Sequence, residues 1–334
     1  MKAMVMTATG GREVLALREI PEPPLRTGHD LLVRVKAAGV NPVDTKLRSR
    51  GTFYPDRLPC VLGCDGAGVV EEVGADARRF RAGDEVYFCN GGIGGDPGCY
   101  AEHAVVDERY VAAKPRSLDF AQAAAAPLVL ITAWESLYDR GRMHASQTVL
   151  VHAGAGGVGH VAIQLARRAG CRVLTTVSTD EKAAFVRGLG AEEVIPYRTV
   201  DVADAALSWT DGVGVDVALD TVGGETFAHT FCAVRHYGDL VTLLQPPADV
   251  DWKLARLRNL RVSLELMLTP MYDDLHDARL HQADILAQCA RLFDEGLLSV
   301  HVSHRLPLEE AAEAHRVIEQ GGLTGKVVLE IDRV

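Results

Sequence analysis

No stretch of this sequence is both long and apolar enough to span a bilayer: the longest apolar run, residues 123–134, is short and carries Pro127. Lys2 is followed by no apolar core of signal-peptide length, so secretion is not expected. Excess positive charge is missing as well. Against 45 Asp and Glu there are 35 Lys and Arg, a formal charge of −10, which argues against a nucleic-acid or anionic-membrane surface. Cysteine is sparse: the seven residues are an odd number and scattered, as suits free thiols in a reducing cytoplasm. Internal repeats, low-complexity tracts and obvious flexible linkers are lacking. What remains is the composition of a globular protein, 48% hydrophobic and 24% charged, in 334 residues that suffice for two domains with sizeable cores.

The informative stretch is residues 148–182. Thr148-Val149-Leu150-Val151-His152 reads as a buried parallel strand. It runs into Gly154-Ala155-Gly156-Gly157-Val158-Gly159, with glycines at the first, third and sixth positions of a dinucleotide fingerprint. Val161, Ile163, Leu165 and Ala166 then give helical spacing up to Gly170, and a second strand follows at 172–177. Gly154 permits the turn, Gly156 lets a pyrophosphate approach the backbone, and Gly159 lets the helix pack on the sheet. The helix N-terminus, at Gly157 and Val158, offers N–H groups and a partial positive charge to phosphate.

Before this unit the chain reads as short strands at 2–6, 30–38, 68–73, 85–88 and 100–106, with a short helix over 41–48. Residues 120–126 and 131–139 are helical by composition, broken by Pro127. After it, strands at 193–195, 215–219, 240–244 and 262–266 alternate with helices near 183–189, 202–209 and 226–235. That makes six strands, a complete doubly wound nucleotide-binding sheet. Helices at 281–293 and 308–318 and a strand at 326–331 are expected to return to the first domain. The expected fold class is α/β: a β-rich first domain over residues 1–122, completed by 269–334, and a nucleotide-binding domain over 123–268.

Several motifs in one order carry a family resemblance across nearly the whole chain. They are Gly39-Val40-Asn41-Pro42-Val43-Asp44, Leu62-Gly63-Cys64-Asp65-Gly66-Ala67-Gly68, Arg81-Ala82-Gly83-Asp84-Glu85-Val86, Tyr100-Ala101-Glu102, Leu130-Ile131-Thr132-Ala133-Trp134, the fingerprint, and Leu323-Thr324-Gly325-Lys326. The sequence resembles the medium-chain dehydrogenases/reductases, and within them the zinc-independent quinone oxidoreductase (zeta-crystallin-like) branch. The resemblance implies a GroES-like catalytic domain, a Rossmann domain with a six-stranded parallel sheet and an active cleft between them. It also implies a homodimer, which the cysteine usage places in the cytoplasm. An apolar last strand near 262–266 would suit pairing across a two-fold axis.

Zinc-dependent members carry a catalytic cysteine and histidine in two of these motifs. The corresponding positions here resemble Asn41 and Cys64, with Leu128 near the third, and an amide, a thiol and an alkyl group do not make a catalytic zinc site. Only Cys89 and Cys99 lie between Val86 and Tyr100, where the structural zinc lobe of relatives needs four cysteines. No metal is therefore expected, and without a Lewis acid the chemistry favours an acceptor that is already electrophilic, a quinone or an α,β-unsaturated carbonyl. The expected activity is NADPH-dependent reduction of such small molecules. The alternatives are a 2-enoyl thioester reductase and a non-catalytic NADPH-binding protein.

By resemblance Tyr54 is the proton donor, Asn41 lies against nicotinamide or substrate, Thr132 lies near the carboxamide, and Lys326 is among the cofactor contacts. Cofactor choice is read from Ser178, which stands where NAD-binding folds place an acid, from Lys182 one helical turn on, and from Tyr197-Arg198 after the third strand. Ser178 with Glu181 also fits a capping box. Asp44 is expected to cap or brace its helix, and His103 and His152 belong to packing. The glycine run at 90–98 is no phosphate loop, having no helix or Lys-Ser/Thr after it; a mobile lip over the substrate is its functional alternative.

Overall fold

A computed structural model describes residues 1–331. The strands in chain order are β1 (Lys2–Met6), β2 (Leu15–Glu19), β3 (Asp30–Val40), β4 (Cys60–Val61), β5 (Asp65–Val73), β6 (Glu85–Cys89), β7 (His103–Asp107) and β8 (Ala112–Ala113). They continue with β9 (Thr148–Val151), β10 (Arg172–Val177), β11 (Glu193–Pro196), β12 (Val215–Asp220), β13 (Val234–Thr242), β14 (Arg261–Leu264), β15 (Val302–Pro307) and β16 (Lys326–Glu330). The helices are α1 (Pro42–Arg50), α2 (Phe120–Ala125), α3 (Pro127–Trp134), α4 (Gly157–Arg168), α5 (Asp180–Gly188), α6 (Val202–Trp209), α7 (Glu225–Ala233), α8 (Lys253–Leu257), α9 (Thr269–Tyr272), α10 (His276–Asp294) and α11 (Ala311–Gln320).

The chain divides into two compact units, Met1–Leu128 with the segment from Leu268 onward, and Val129–Met267. The first break falls six residues beyond the expected 122/123 boundary. The alanine-rich helix α2 packs on β3, β5 and β16 and so stays with the first unit. Pro127 does not break a helix internally. It opens α3, where its missing N–H costs nothing.

In the first unit β3 is the hub. It pairs antiparallel with β5, with β7 and with β16, and β15 lies parallel to β16 at the sheet's edge. The C-terminal strand thus returns to the first domain, bringing Lys326 to the end of β3, where Val327 stands opposite Val40.

In the second unit six parallel strands run in the order β11-β10-β9-β12-β13-β14, the doubly wound arrangement. Phe227, Phe231, Leu150 and Leu240 are fully buried in its core, with the two phenylalanine rings edge-to-face at 5.1 Å. Two differences from the sequence reading are physical. Strand β13 begins at Val234, not 240, because a bulge at the polar stretch Arg235-His236-Tyr237-Gly238 hides its period; Tyr237 sits at φ +60°. The cap of α5 is Thr179, whose hydroxyl accepts from the Lys182 N–H at 3.3 Å, so the expected Ser178–Glu181 capping box is not formed.

Candidate functional site

Strand order reverses between β9 and β12, and in doubly wound sheets ligands lie outside the carboxyl ends of the strands at that reversal. The turn leaving β9 is sewn to β10: the Ala153 N–H donates to the Thr176 hydroxyl at 2.9 Å and the Gly154 N–H to the Thr176 carbonyl at 3.1 Å. The glycines then divide their work. A Cβ on Gly159 would lie 2.4 Å from the Ala153 carbonyl oxygen and 2.8 Å from the Gly154 Cα, so Gly159 is required for the helix to reach the turn at all. A Cβ on Gly156 would meet only the Ala153 oxygen, at 3.1 Å, and its φ of −74° is open to any residue. The protein's own packing thus has little need for glycine there, as expected where a ligand occupies the space a side chain would fill. Gly156 is also the N-cap of α4 and supplies no capping side chain, leaving the first-turn N–H groups of Gly157, Val158 and Gly159 for a phosphate. These residues fit a dinucleotide.

The expected adenosine-end residues meet in the same unit. The Tyr197 N–H donates to the Val177 carbonyl at 3.2 Å, which sets Tyr197-Arg198 beside Ser178 at the ends of β11 and β10. Tyr197 is 49% exposed. Lys182 lies in the first turn of α5, and Thr132 is buried on α3. His152 is buried against the Thr230 hydroxyl at 2.9 Å, and burial pushes its pKa down to about 4, so it is a neutral packing residue.

A polar centre occupies the first unit. The amide of Asn41 is held between two opposite charges: its Nδ2 donates to Asp65 Oδ2 at 2.9 Å and its Oδ1 accepts from the Lys326 ammonium. Flipping the amide would set N–H groups against an ammonium and an oxygen against a carboxylate, so its orientation is unique. Lys326 also donates to the Val40 carbonyl at 3.3 Å and lies 3.7 Å from Asp65, whose other oxygen accepts the Leu128 N–H at 2.8 Å. Burial lowers the pKa of Lys326 and raises that of Asp65, and each is drawn back by the other's charge. Asp44 accepts the Asn41 N–H at 2.8 Å and the Tyr100 hydroxyl at 3.0 Å, the bracing role expected; burial pushes it up to about 7.

Asn41, expected against nicotinamide or substrate, and Lys326, expected among the cofactor contacts, therefore meet each other in this buried cluster, only 1% and 3% exposed. Tyr54 stands elsewhere in the unit. Its hydroxyl donates to the Tyr272 carbonyl at 3.2 Å, Arg57 lies over its ring, and Gly95 of the 90–98 run packs against it. That run is well tethered: the Gly91 N–H donates to the Met271 sulfur at 3.0 Å, Arg279 to Asn90 at 2.6 Å, and Arg26 pairs with Asp96 at 2.5 Å. His103 pairs with Glu71 at 2.9 Å.

The same cluster bears on zinc. Asn41 Oδ1 faces an ammonium that would repel a divalent ion, and Leu128, whose side chain is an alkyl group, donates its N–H to Asp65. Cys64 is pushed well above the usual thiol range by its hydrogen bond to Cys89 and by burial, the opposite of what a thiolate ligand needs. The donor set does not fit a catalytic zinc.

A family profile described as an alcohol dehydrogenase GroES-like domain matches residues 27–116, and one described as a zinc-binding dehydrogenase matches residues 189–329. A human quinone oxidoreductase is 32% identical over 98% of this chain and 97% of its own length. The chain belongs to the medium-chain dehydrogenase/reductase superfamily. Two solved members of that superfamily are informative. A quinone oxidoreductase of Escherichia coli complexed with NADPH superposes with a TM-score of 0.87 at 28% identity, covering 99% of this chain and 100% of the other. An NAD-dependent alcohol dehydrogenase superposes at 0.88 with 31% identity and the same coverage. Membership makes this chain an oxidoreductase that uses a nicotinamide cofactor.

Some features escape a reading of the sequence. Asp65 is visible there only as a motif residue, and Lys326 only as a cofactor contact. Asp220 does not stand out, although an acid followed by Thr221-Val222-Gly223-Gly224 at a strand end is the signature of a side chain that folds a turn around itself.

Replacing Lys326 by Met leaves Asp65 as an uncompensated buried charge and should lower stability by about 3–5 kcal/mol in urea unfolding. Adding Asp65→Asn should recover part of that loss. A Lys326→Met protein as stable as the parent would contradict the clamp.

Proposed function

We propose that this protein reduces quinones or other activated alkenes with NADPH and without a metal ion. One observation carries the reading. Around Asn41, Cys64 and Leu128, the positions that resemble the zinc ligands of zinc-dependent relatives, this chain builds an ammonium–amide–carboxylate clamp, while the turn after β9 fits a dinucleotide. A hydride acceptor that needs no Lewis acid suits such a protein. The bound cofactor supplies the hydride, which adds at carbon of the conjugated acceptor. Negative charge then develops on the distant oxygen, and Tyr54 releases the Tyr272 carbonyl to donate its proton there. NADPH is favoured over NADH because Ser178, not an acid, follows β10, because Thr179 rather than Ser178 caps α5, and because Tyr197-Arg198 lies alongside. We also infer a homodimer joined along β14, an edge strand whose Leu264 is 62% exposed. A monomer by light scattering at micromolar concentration would remove that part.

The test is a steady-state panel of quinones, enals and enoyl thioesters with each cofactor. The expected result is turnover of quinones or enals, with NADPH preferred and the preference diminished about tenfold or more in Lys182→Ala. Activity confined to enoyl thioesters would replace the substrate class, and no turnover with any acceptor would favour a binding protein. Tyr54→Phe should lower kcat by about 3–4 kcal/mol in transition-state terms while leaving NADPH affinity nearly unchanged. Unaltered turnover with chemistry rate-limiting would remove Tyr54 from the mechanism.

A further inference from the structure

The second wall of the crevice at the strand reversal is built around one carboxylate. Asp220 ends β12, next to β9, and is fully buried. Its Oδ1 accepts two consecutive backbone N–H groups, from Val222 and Gly223, each at 2.9 Å. Its Oδ2 accepts the Thr242 hydroxyl, at the end of β13, at 2.9 Å. The Thr221 hydroxyl donates to the His152 carbonyl at 2.8 Å, one residue before the turn that opens the glycine fingerprint. The backbone repeats these ties: the His152 N–H donates to the Leu219 carbonyl and the Leu243 N–H to the Asp220 carbonyl, both at 3.0 Å. Loop 221–224 is therefore fixed from both sides, to the fingerprint turn through Thr221 and to β13 through Asp220. Val222 at its crest is 46% exposed although it is apolar.

We propose that Asp220 is a positioning residue for the nicotinamide half of the cofactor, acting through loop 221–224 and not by contact. The inference rests on the dinucleotide reading of the second unit. The pyrophosphate approaches the backbone at Gly156, and the adenosine end is directed toward Ser178 and Tyr197 on the β10 and β11 side of the reversal. The remaining half of an extended dinucleotide then falls on the β12 and β13 side, where loop 221–224 stands. The carboxylate pairs two turn N–H groups, of which the Gly223 one is buried and would otherwise lose its partner, so the loop keeps one conformation. Thr221 links that conformation to the turn on which the phosphates sit, which makes the two walls one unit.

The two halves of the cofactor can be titrated separately by calorimetry, using NADPH and its adenosine-side fragment 2′,5′-ADP. In Asp220→Ala the dissociation constant for NADPH should rise at least about tenfold, while that for 2′,5′-ADP stays within about twofold. Asp220→Asn keeps one oxygen for the Val222 and Gly223 N–H groups and should recover most of the affinity. Thr221→Val, which leaves the carboxylate in place, should show the same selective loss in milder form. Wild-type affinity for NADPH in folded Asp220→Ala, or an equal loss for both ligands, would overturn the inference. Failure of the unmodified protein to bind NADPH or NADH would instead overturn the dinucleotide reading beneath it.

Discussion

The close approach of α4 to the turn that leaves β9 is the constraint on which the second unit depends. A hydrogen in place of a methyl at Gly159 lets the helix start within contact of the Ala153 carbonyl. Ala153 itself is turned into the left-handed region, φ +50°, and held there by its hydrogen bond to the Thr176 hydroxyl and that of Gly154 to the Thr176 carbonyl. From that approach follow the direction of the helix N-terminus, the exposure of the first-turn N–H groups and the alignment of β10, whose end carries Ser178. The opposite wall is tied to the same turn through His152, so a displacement of α4 would be felt at loop 221–224.

In the first unit the corresponding constraint is electrostatic. An ammonium and a carboxylate buried together would each be costly alone; the Asn41 amide between them satisfies both with its two unlike ends. The cluster ties the end of β3, the start of β5, the start of β16 and the first turn of α3 together at one point. These segments are held by charge and hydrogen bonds. Asn41 and Lys326 are thereby committed to each other.

Local features are legible in the sequence and distant ones are concealed. The fingerprint, its strand and its helix lie within one short segment, and glycines at that spacing between a strand and a helix point to a single ligand class, so the second unit can be read directly. Lys326 and Asn41 are 285 residues apart, and no periodicity announces that a C-terminal strand will place an ammonium at the end of β3. Strand β13 starts six residues before its expected position because its bulge breaks the alternation that identifies a strand. Ser178 and Thr179 both suit a helix cap, and only backbone geometry decides between them: Thr179 is extended, at φ −145°, with its hydroxyl toward the Lys182 N–H. That choice leaves Ser178 outside the cap. The break between the units lies six residues from the expected boundary because α2, with four alanines in six residues, packs on β3, β5 and β16.

A dinucleotide, and not folding alone, has shaped the turn after β9. Gly156 isolates that claim, since its backbone is acceptable to any residue and an added methyl would meet one atom of the protein, the Ala153 carbonyl oxygen at 3.1 Å. The most direct measurement is NADPH titration of Gly156→Ala alongside its thermal unfolding. The expected result is a dissociation constant raised at least about tenfold, with the unfolding temperature nearly unchanged. Undiminished NADPH binding by the folded variant would contradict it.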